Sequence, residues 1–254
     1  MKNNDNGGAK ATTASANDWH VSGRAPERVA IVACGPTSLD WHAANFLYDP
    51  AVDYDEIWVV NKGIRTLRCD VAFVMDDLVG EARRSRRYQA DIDALQVPII
   101  TSTVDDSVRG LFPNANLTAY PINYVLAWCA LKIWKARKCE PTEAQLGATM
   151  SGLANYIHNS IPYLLAYAGF IGVKTVLLFG ADYTFPGSPA REDDQANCEY
   201  WVGLMRGLGV DVSVPDTTTL LATRYRKPMY GFGARPPQLM IPREHILQRL
   251  RERT

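Results

Sequence analysis

The sequence has no Cys-x-x-Cys pair, no His-x-x-His or His-Glu-x-x-His motif, and no surplus charge of either sign. Each absence removes a class of protein. Five cysteines (Cys34, Cys69, Cys129, Cys139, Cys198) scattered over 254 residues suit reduced thiols better than a disulfide scaffold. With no Cys/His cluster at ligand spacing, no structural metal is expected. The 27 basic side chains are matched by 27 acidic ones, so a general electrostatic binder of nucleic acid is not expected. No apolar run reaches the ~18 residues needed to cross a bilayer. The first residues also lack the apolar core of a secretory leader. These features together lead to the expectation of a cytoplasmic protein with no membrane partner.

What is present is a regular alternation. Residues 1–24 are rich in Asn, Gly, Ala, Ser and Thr, with little to bury, and are expected to form a disordered arm. From Val29 on, short apolar runs recur: Val29–Cys34, Ile57–Val60, Val71–Met75, Val97–Ile100, Leu117–Tyr120, Lys174–Phe179 and Val210–Val214. Runs that are apolar on both faces read as buried parallel strands. Helical stretches lie between them at Ser38–Tyr48, Asp77–Leu95, Ile122–Lys135, Ser151–Ile171 and Glu192–Leu208. Residues 136–150 read as a polar insertion, and Ser151–Ile171 as one long central helix. The pattern predicts an α/β, doubly wound, mainly parallel sheet of six to seven strands in a single domain, residues 25–222. Residues 223–254 are expected to form a proline-rich extension ending in a short helix over Arg243–Arg253.

In an open parallel sheet, ligands bind beyond the carboxyl ends of the strands. The residues that follow each strand therefore carry the functional reading. Gly35-Pro36-Thr37-Ser38 is a turn and helix cap that can also approach an anion; it is neither a Gly-x-Gly-x-x-Gly nor a P-loop signature. Asn61 offers both a donor and an acceptor to a base or ribose, or is a turn asparagine. Asp76 and Asp77 would bind ribose hydroxyls, hold hydrated Mg²⁺ or act as a base, with a helix cap as the alternative for one of them. Ser151-Gly152 is expected to open the long helix and present amides to a phosphate. Asp182 follows a buried strand, where a carboxylate must be hydrogen-bonded, and Tyr183 beside it would stack on a base. Arg83–Arg87 reads as a solvated helix face, and His158 as an interior histidine.

Taken in order, VAIVACGPTSL, WVVNKG, CDVAFVMDD, MSGLANY and VLLFGADYTFPGS resemble a Rossmann-like superfamily. It joins the 6-hydroxymethylpterin diphosphokinase MptE-like domains, flagellin-modifying glycosyltransferases and family-42 bacterial sialyltransferases. The similarity runs from about Val29 to Leu221. It implies a nucleotide-dependent group transferase, first of all a glycosyltransferase with a nucleotide-sugar donor and a hydroxyl acceptor. The resemblance to the sialyltransferases puts Gly35, Pro36, Thr37 or Ser38, Asn61, Ser151 and Gly152 around the nucleotide donor, while Asp76 and Asp182-Tyr183-Thr184 resemble the diphosphokinase-like branch; Asp76 and Tyr183 are expected at the nucleotide as well. Asp182 or Asp77 would be the catalytic base, with no resident metal. Cys34 stands where the sialyltransferases carry an asparagine, and no histidine lies between His158 and His245 to match their base. Two alternatives are a Mg²⁺-dependent diphosphokinase and a catalytically inactive assembly protein, such as one of a bacteriophage particle. In the second case the arm and the terminal helix would join a homo-oligomer or larger assembly, and the location would be a virion or an infected host's cytoplasm.

Overall fold

The structure is a computed structural model and describes residues 20–47, 54–183, 189–221 and 251. The expected arm up to residue 19, residues 222–250, most of the terminal helix and Thr184 lie outside the described residues. Seven strands form one sheet: β1 (Arg28–Val32), β2 (Glu56–Val60), β3 (Val71–Val74), β4 (Ile99–Thr101), β5 (Leu117–Ala119), β6 (Thr175–Phe179) and β7 (Asp211–Ser213). Every pairing is parallel, and the order is β5-β4-β3-β2-β1-β6-β7. The chain therefore builds outward from β1 to β5, returns across the sheet, and adds β6 and β7 on the other flank. The order reverses between β1 and β6.

Strand periodicity divides the interior in two. Val29 and Ile31 of β1, with Val71 and Phe73 of β3, enter one core. Ala30, Val32, Ala72 and Val74 enter the other. The second core is closed by α1 (Ser38–Leu47), α2 (Leu78–Arg84), α3 (Arg86–Asp93) and α4 (Asp106–Leu111), through Trp41, Leu78, Tyr88, Ile92 and Val108. The first is closed by α5 (Ile122–Ala136), α6 (Glu143–Ala154), α7 (Ser160–Ile171) and α8 (Pro189–Gly207), with Trp58, Phe73, Tyr167 and Trp201 fully buried. Helices on both faces explain why inner strands such as β1 and β3 are apolar on both sides, whereas the edge strand β7 exposes Asp211 and Ser213. This is the expected doubly wound α/β architecture.

Three helical expectations need correction. Asp77–Leu95 is two helices, because Ser85 leaves helical geometry and its hydroxyl caps α3 by accepting from the Tyr88 amide at 3.2 Å. Residues 136–150 are not a plain insertion. A reciprocal Thr142–Gln145 capping box starts α6 there. Nor is Ser151–Ile171 one helix: α6 ends at Ala154 and α7 restarts at Ser160. Pro162 dictates the break, since its ring would strike the carbonyl four residues back in a continuous helix but is tolerated in a first turn. Asn159 caps the restart by accepting from the Ile161 amide at 3.1 Å. His158 consequently sits exposed in the link rather than in the interior.

His20, within the segment expected to be disordered, is buried against Tyr167 and Trp58, and its Nε2 lies 2.9 Å from the Glu56 carboxylate. Arg83, Arg84, Arg86 and Arg87 are exposed, as a solvated face requires. No described helix is long and apolar enough to cross a membrane.

At the β1/β6 seam the Gly35 amide donates to the Gly180 carbonyl at 2.8 Å. A Cβ on Gly180 would drive into the Ala33 carbonyl, and its φ is +69°. Gly172 has φ +95° with open space around it. Gly180→Ala should thus cost about 3 kcal/mol or more, against about 1–2 kcal/mol for Gly172→Ala, which carries left-handed strain alone. Urea denaturation of the two variants measures the difference.

Candidate functional site

The carboxyl ends of β6, β1, β2 and β3, together with the start of α7, form a continuous polar edge. At its centre Asp182 is buried (8% exposed). One carboxylate oxygen accepts from the Thr37 amide and the Thr37 hydroxyl, both at 2.6 Å, and the other from the Thr218 hydroxyl at 2.7 Å. Thr37 Oγ1 in turn accepts from the Gly180 amide at 2.9 Å. Three donors to a buried carboxylate make charge-assisted bonds, the strong kind. They tie the ends of β1, β6 and β7 together.

The Gly35–Ser38 turn is closed by its own bonds. Ser38, Leu39 and Asp40 amides donate to the Gly35, Pro36 and Thr37 carbonyls at 2.9, 3.1 and 3.1 Å. With the Thr37 amide on Asp182, this side chain takes the place at the head of α1 where a bound anion would otherwise sit.

Further along the edge, Asn61 has φ +47° and opens a 3₁₀ turn over Asn61–Arg65. Left-handed backbone is tolerated by asparagine better than by most residues. Its Oδ1 accepts from the Met75 amide at 3.1 Å, and its Nδ2 donates to Ser160 Oγ at 3.0 Å. One side chain thus links the tips of β2 and β3 to the amino end of α7. It also hydrogen-bonds the Asp76 carboxylate. Desolvation raises the Asp76 pKa from its ordinary value and the Glu81 charge adds to this, while Lys62 and the Asn61 bond pull the other way. Cys34 Sγ faces the Val60 carbonyl at 3.7 Å; its thiol pKa is raised mainly by desolvation, and Asp76 contributes to the rise. Asp77, just beyond, is exposed and makes no side-chain cap to α2. The Tyr183 amide donates to Thr219 Oγ1 at 3.3 Å, and its hydroxyl donates to Asn159 Oδ1 at 3.4 Å.

Gly35–Ser38, Asn61, Asp76, Asp182 and Tyr183 are thereby gathered on one edge. Ser151 and Gly152 do not play the part expected of them. They lie exposed in the last turn of α6, where a helix presents carbonyls rather than amides. The helix start on the edge is Asn159-Ser160 instead, which sequence reasoning missed although Asn159 and Pro162 together signal it. Among the described residues no three His, Cys, Asp or Glu side chains group closely enough to hold a metal ion.

No protein-family model matches the sequence, and no curated protein matches it. Among solved structures, it is similar to the apo α-2,3-sialyltransferase from Campylobacter jejuni, with TM-score 0.46 and 15% identity over 89% of this chain and 95% of that one. It is also similar to the sialyltransferase CstII from Campylobacter jejuni. The complex with the substrate analogue CMP-3FNeuAc gives TM-score 0.43 and 16% identity over 77% of this chain and 82% of the other. The cytidine-5'-monophosphate complex gives TM-score 0.39 and 15% identity over the same shares, 77% and 82%. At TM-scores this low the likeness says nothing about the chemistry of individual positions.

Two stability measurements follow from the edge. Removing the staple with Asp182→Ala leaves the Thr37 and Thr218 donors unmatched and should cost about 3 kcal/mol or more in urea denaturation. Asp76→Asn should act in the opposite direction. The folded-state Asp76 carboxyl holds its proton more tightly than in the unfolded chain, so the penalty for ionising it is fully present above its folded pKa. It fades as pH falls to the ordinary carboxylate value. Thermal melts should therefore show Asp76→Asn more stable than the parent at pH 7, with the gap closing as pH is lowered through the carboxylate range.

Proposed function

We propose that this protein is a nucleotide-dependent group transferase, and specifically a glycosyltransferase that uses a nucleotide-sugar donor. The observation that carries the reading is the meeting of Asn61, Asp76 and the Asn159-Ser160 helix start at the carboxyl edge of a parallel sheet. A twelve-residue helix, α7, directs its positive end there, and a phosphate leaving group gains from such a dipole. Asp76 supplies the carboxylate acceptor for a ribose hydroxyl, and Asn61, whose amide is committed to Met75, Ser160 and Asp76, positions it. Gly35, Pro36 and Ser38 form the neighbouring wall, and Tyr183 the far one. Asp182 holds the wall in place through Thr37. The proton of the acceptor hydroxyl then falls to Asp77, the exposed carboxylate next to Asp76. Family resemblance in the sequence motifs supports the same class. A fold of this kind hosts many activities, so the reading rests on the residues at the edge.

One observation favours a second reading, a scaffold that has lost its chemistry. Asp182 already fills the anion position at the head of α1, and the Gly35–Gly180 contact closes the seam beneath it.

Thermal melts against CMP, CDP-, UDP- and GDP-sugars and ATP, with and without EDTA, separate the readings. The transferase should be stabilised by at least one nucleotide sugar, by about 2.7 kcal/mol at a hundred times its dissociation constant. Ser38→Ala, at the turn, should weaken that stabilisation without unfolding the chain. Stabilisation and turnover with ATP that vanish in EDTA would instead indicate pyrophosphate transfer, and indifference to the whole panel would leave the scaffold.

A further inference from the structure

A cavity of about 550 Å³ lies between α8 and the link that joins α6 to α7. That size falls within the ~300–1,000 Å³ usual for ligand sites. Two hydrogen bonds frame it. Trp201 Nε1 donates to the Tyr156 carbonyl at 2.9 Å, and Asn159 Nδ2 donates to the Asp194 carbonyl at 3.0 Å. Along α8, Asp193, Ala196, Asn197 and Tyr200 recur at helical spacing and turn one stripe toward the link. The small side chain of Ala196 leaves room between the two walls.

Asn197 is the unusual residue on that stripe. It is 7% exposed, and among the described residues its carboxamide has no hydrogen-bond partner. The hydroxyls of Tyr88 and Thr101 also lack partners, but both are sealed from solvent. The Asn197 side chain is not sealed: it lines the cavity and can be reached from it. An amide this deeply buried is costly to leave unpaired, and native proteins rarely do so without cause. It calls for a ligand that accepts from its NH₂ and donates to its carbonyl.

The surroundings narrow the choice. The carboxylates of Asp193 and Asp194 line the cavity, as does Tyr156, whose ring stacks on Tyr200 with centroids 4.1 Å apart. Both tyrosines are exposed. No Lys or Arg side chain lines the cavity among the described residues, so an anion would meet two like charges unopposed. A metal ion is not held either, since Asp193, Asp194 and the exposed His158 do not converge as ligands. A lysine ammonium would answer the carboxylates, but it is a compact, strongly hydrated charge with no flat face for the tyrosine ring. An arginine residue within a peptide meets every demand. Its planar guanidinium donates in a fork to a carboxylate and lies against the aromatic face. The adjoining peptide N–H and C=O pair with the two ends of the Asn197 amide.

We propose that this cavity binds an arginine side chain presented by a polypeptide partner, with the Asn197 amide as its buried anchor. The transferase reading uses none of the cavity's side chains, so the two stand or fall separately.

Heteronuclear NMR titration of the full chain with acetyl-Ala-Arg-Ala-amide tests the proposal. The lysine and citrulline peptides are run beside it, with agmatine as a guanidinium that has no peptide unit. The arginine peptide should bind and shift the Asn197 side-chain amide signal. Citrulline, equal in shape but uncharged, should bind more weakly by about tenfold or more, and lysine and agmatine should also be weaker. Asn197→Leu should weaken the arginine peptide by about tenfold, the value of one lost hydrogen bond, without lowering Tm, because it removes an unpaired buried amide. Ala196→Leu, an exposed substitution that fills the cavity, should abolish binding. Absence of binding by the arginine peptide overturns the proposal, as does equal binding by the lysine or citrulline peptide. A variant at either position that binds like the parent overturns it too. Agmatine binding as tightly as the peptide would assign the cavity to a free guanidino compound and overturn the polypeptide partner.

Discussion

The carboxylate of Asp182 is the constraint on which the architecture of the edge depends. A negative charge withdrawn from water must find donors, and here it finds them on the segments that follow β1 and β7. Satisfying it pulls the turn after β1 onto the turn after β6. That approach is feasible only because Gly35 and Gly180 have no side chains to collide. The same carboxylate supplies the negative partner that the head of α1 would otherwise seek from outside. The seam therefore has its polar groups satisfied from within, and the stretch between Asn61, Asp76 and Ser160 lies beside it.

That neighbouring stretch carries three locally unfavourable features. Asn61 holds a left-handed backbone, the charged form of Asp76 is disfavoured by desolvation and the Glu81 charge, and Thr101 buries an unmatched hydroxyl. All three sit at the carboxyl ends of β2, β3 and β4, whereas the seam with its staple is fully satisfied. Proteins tend to concentrate such costs where ligands bind, because a site that satisfies itself has nothing left to offer. The division between a rigid seam and an uncompensated flank is the physical content of the functional reading.

Much of this was legible in the sequence. Apolar runs such as VAIV and VAFV announce strands buried on both faces, and the doubly wound sheet follows from their alternation with helices. The tips Gly35, Asn61, Asp76 and Asp182 could be named because parallel strands point their carboxyl ends the same way. Side-chain commitments were not legible. Nothing local shows that Asp182 would reach back to Thr37, which is 145 residues away in the chain. Ser151 was misjudged because an apolar run masks a helix break, although Pro162 and Asn159 marked it. Thr101 drew no notice, since a threonine ending a strand is ordinary until its hydroxyl is found without a partner.

The parallel return of β6 to β1 has a consequence for biosynthesis. While the first five strands emerge from the ribosome, β1 remains an open apolar edge, with no hydrogen-bonding neighbour on its β6 side. Only after Thr175–Phe179 has been made can that edge close and the distant carboxylate lock the turn behind it. Contacts this remote in sequence form late and slowly, and an uncovered strand invites pairing with other chains. The nascent chain is thus most exposed to aggregation during the interval between completion of β5 and arrival of β6.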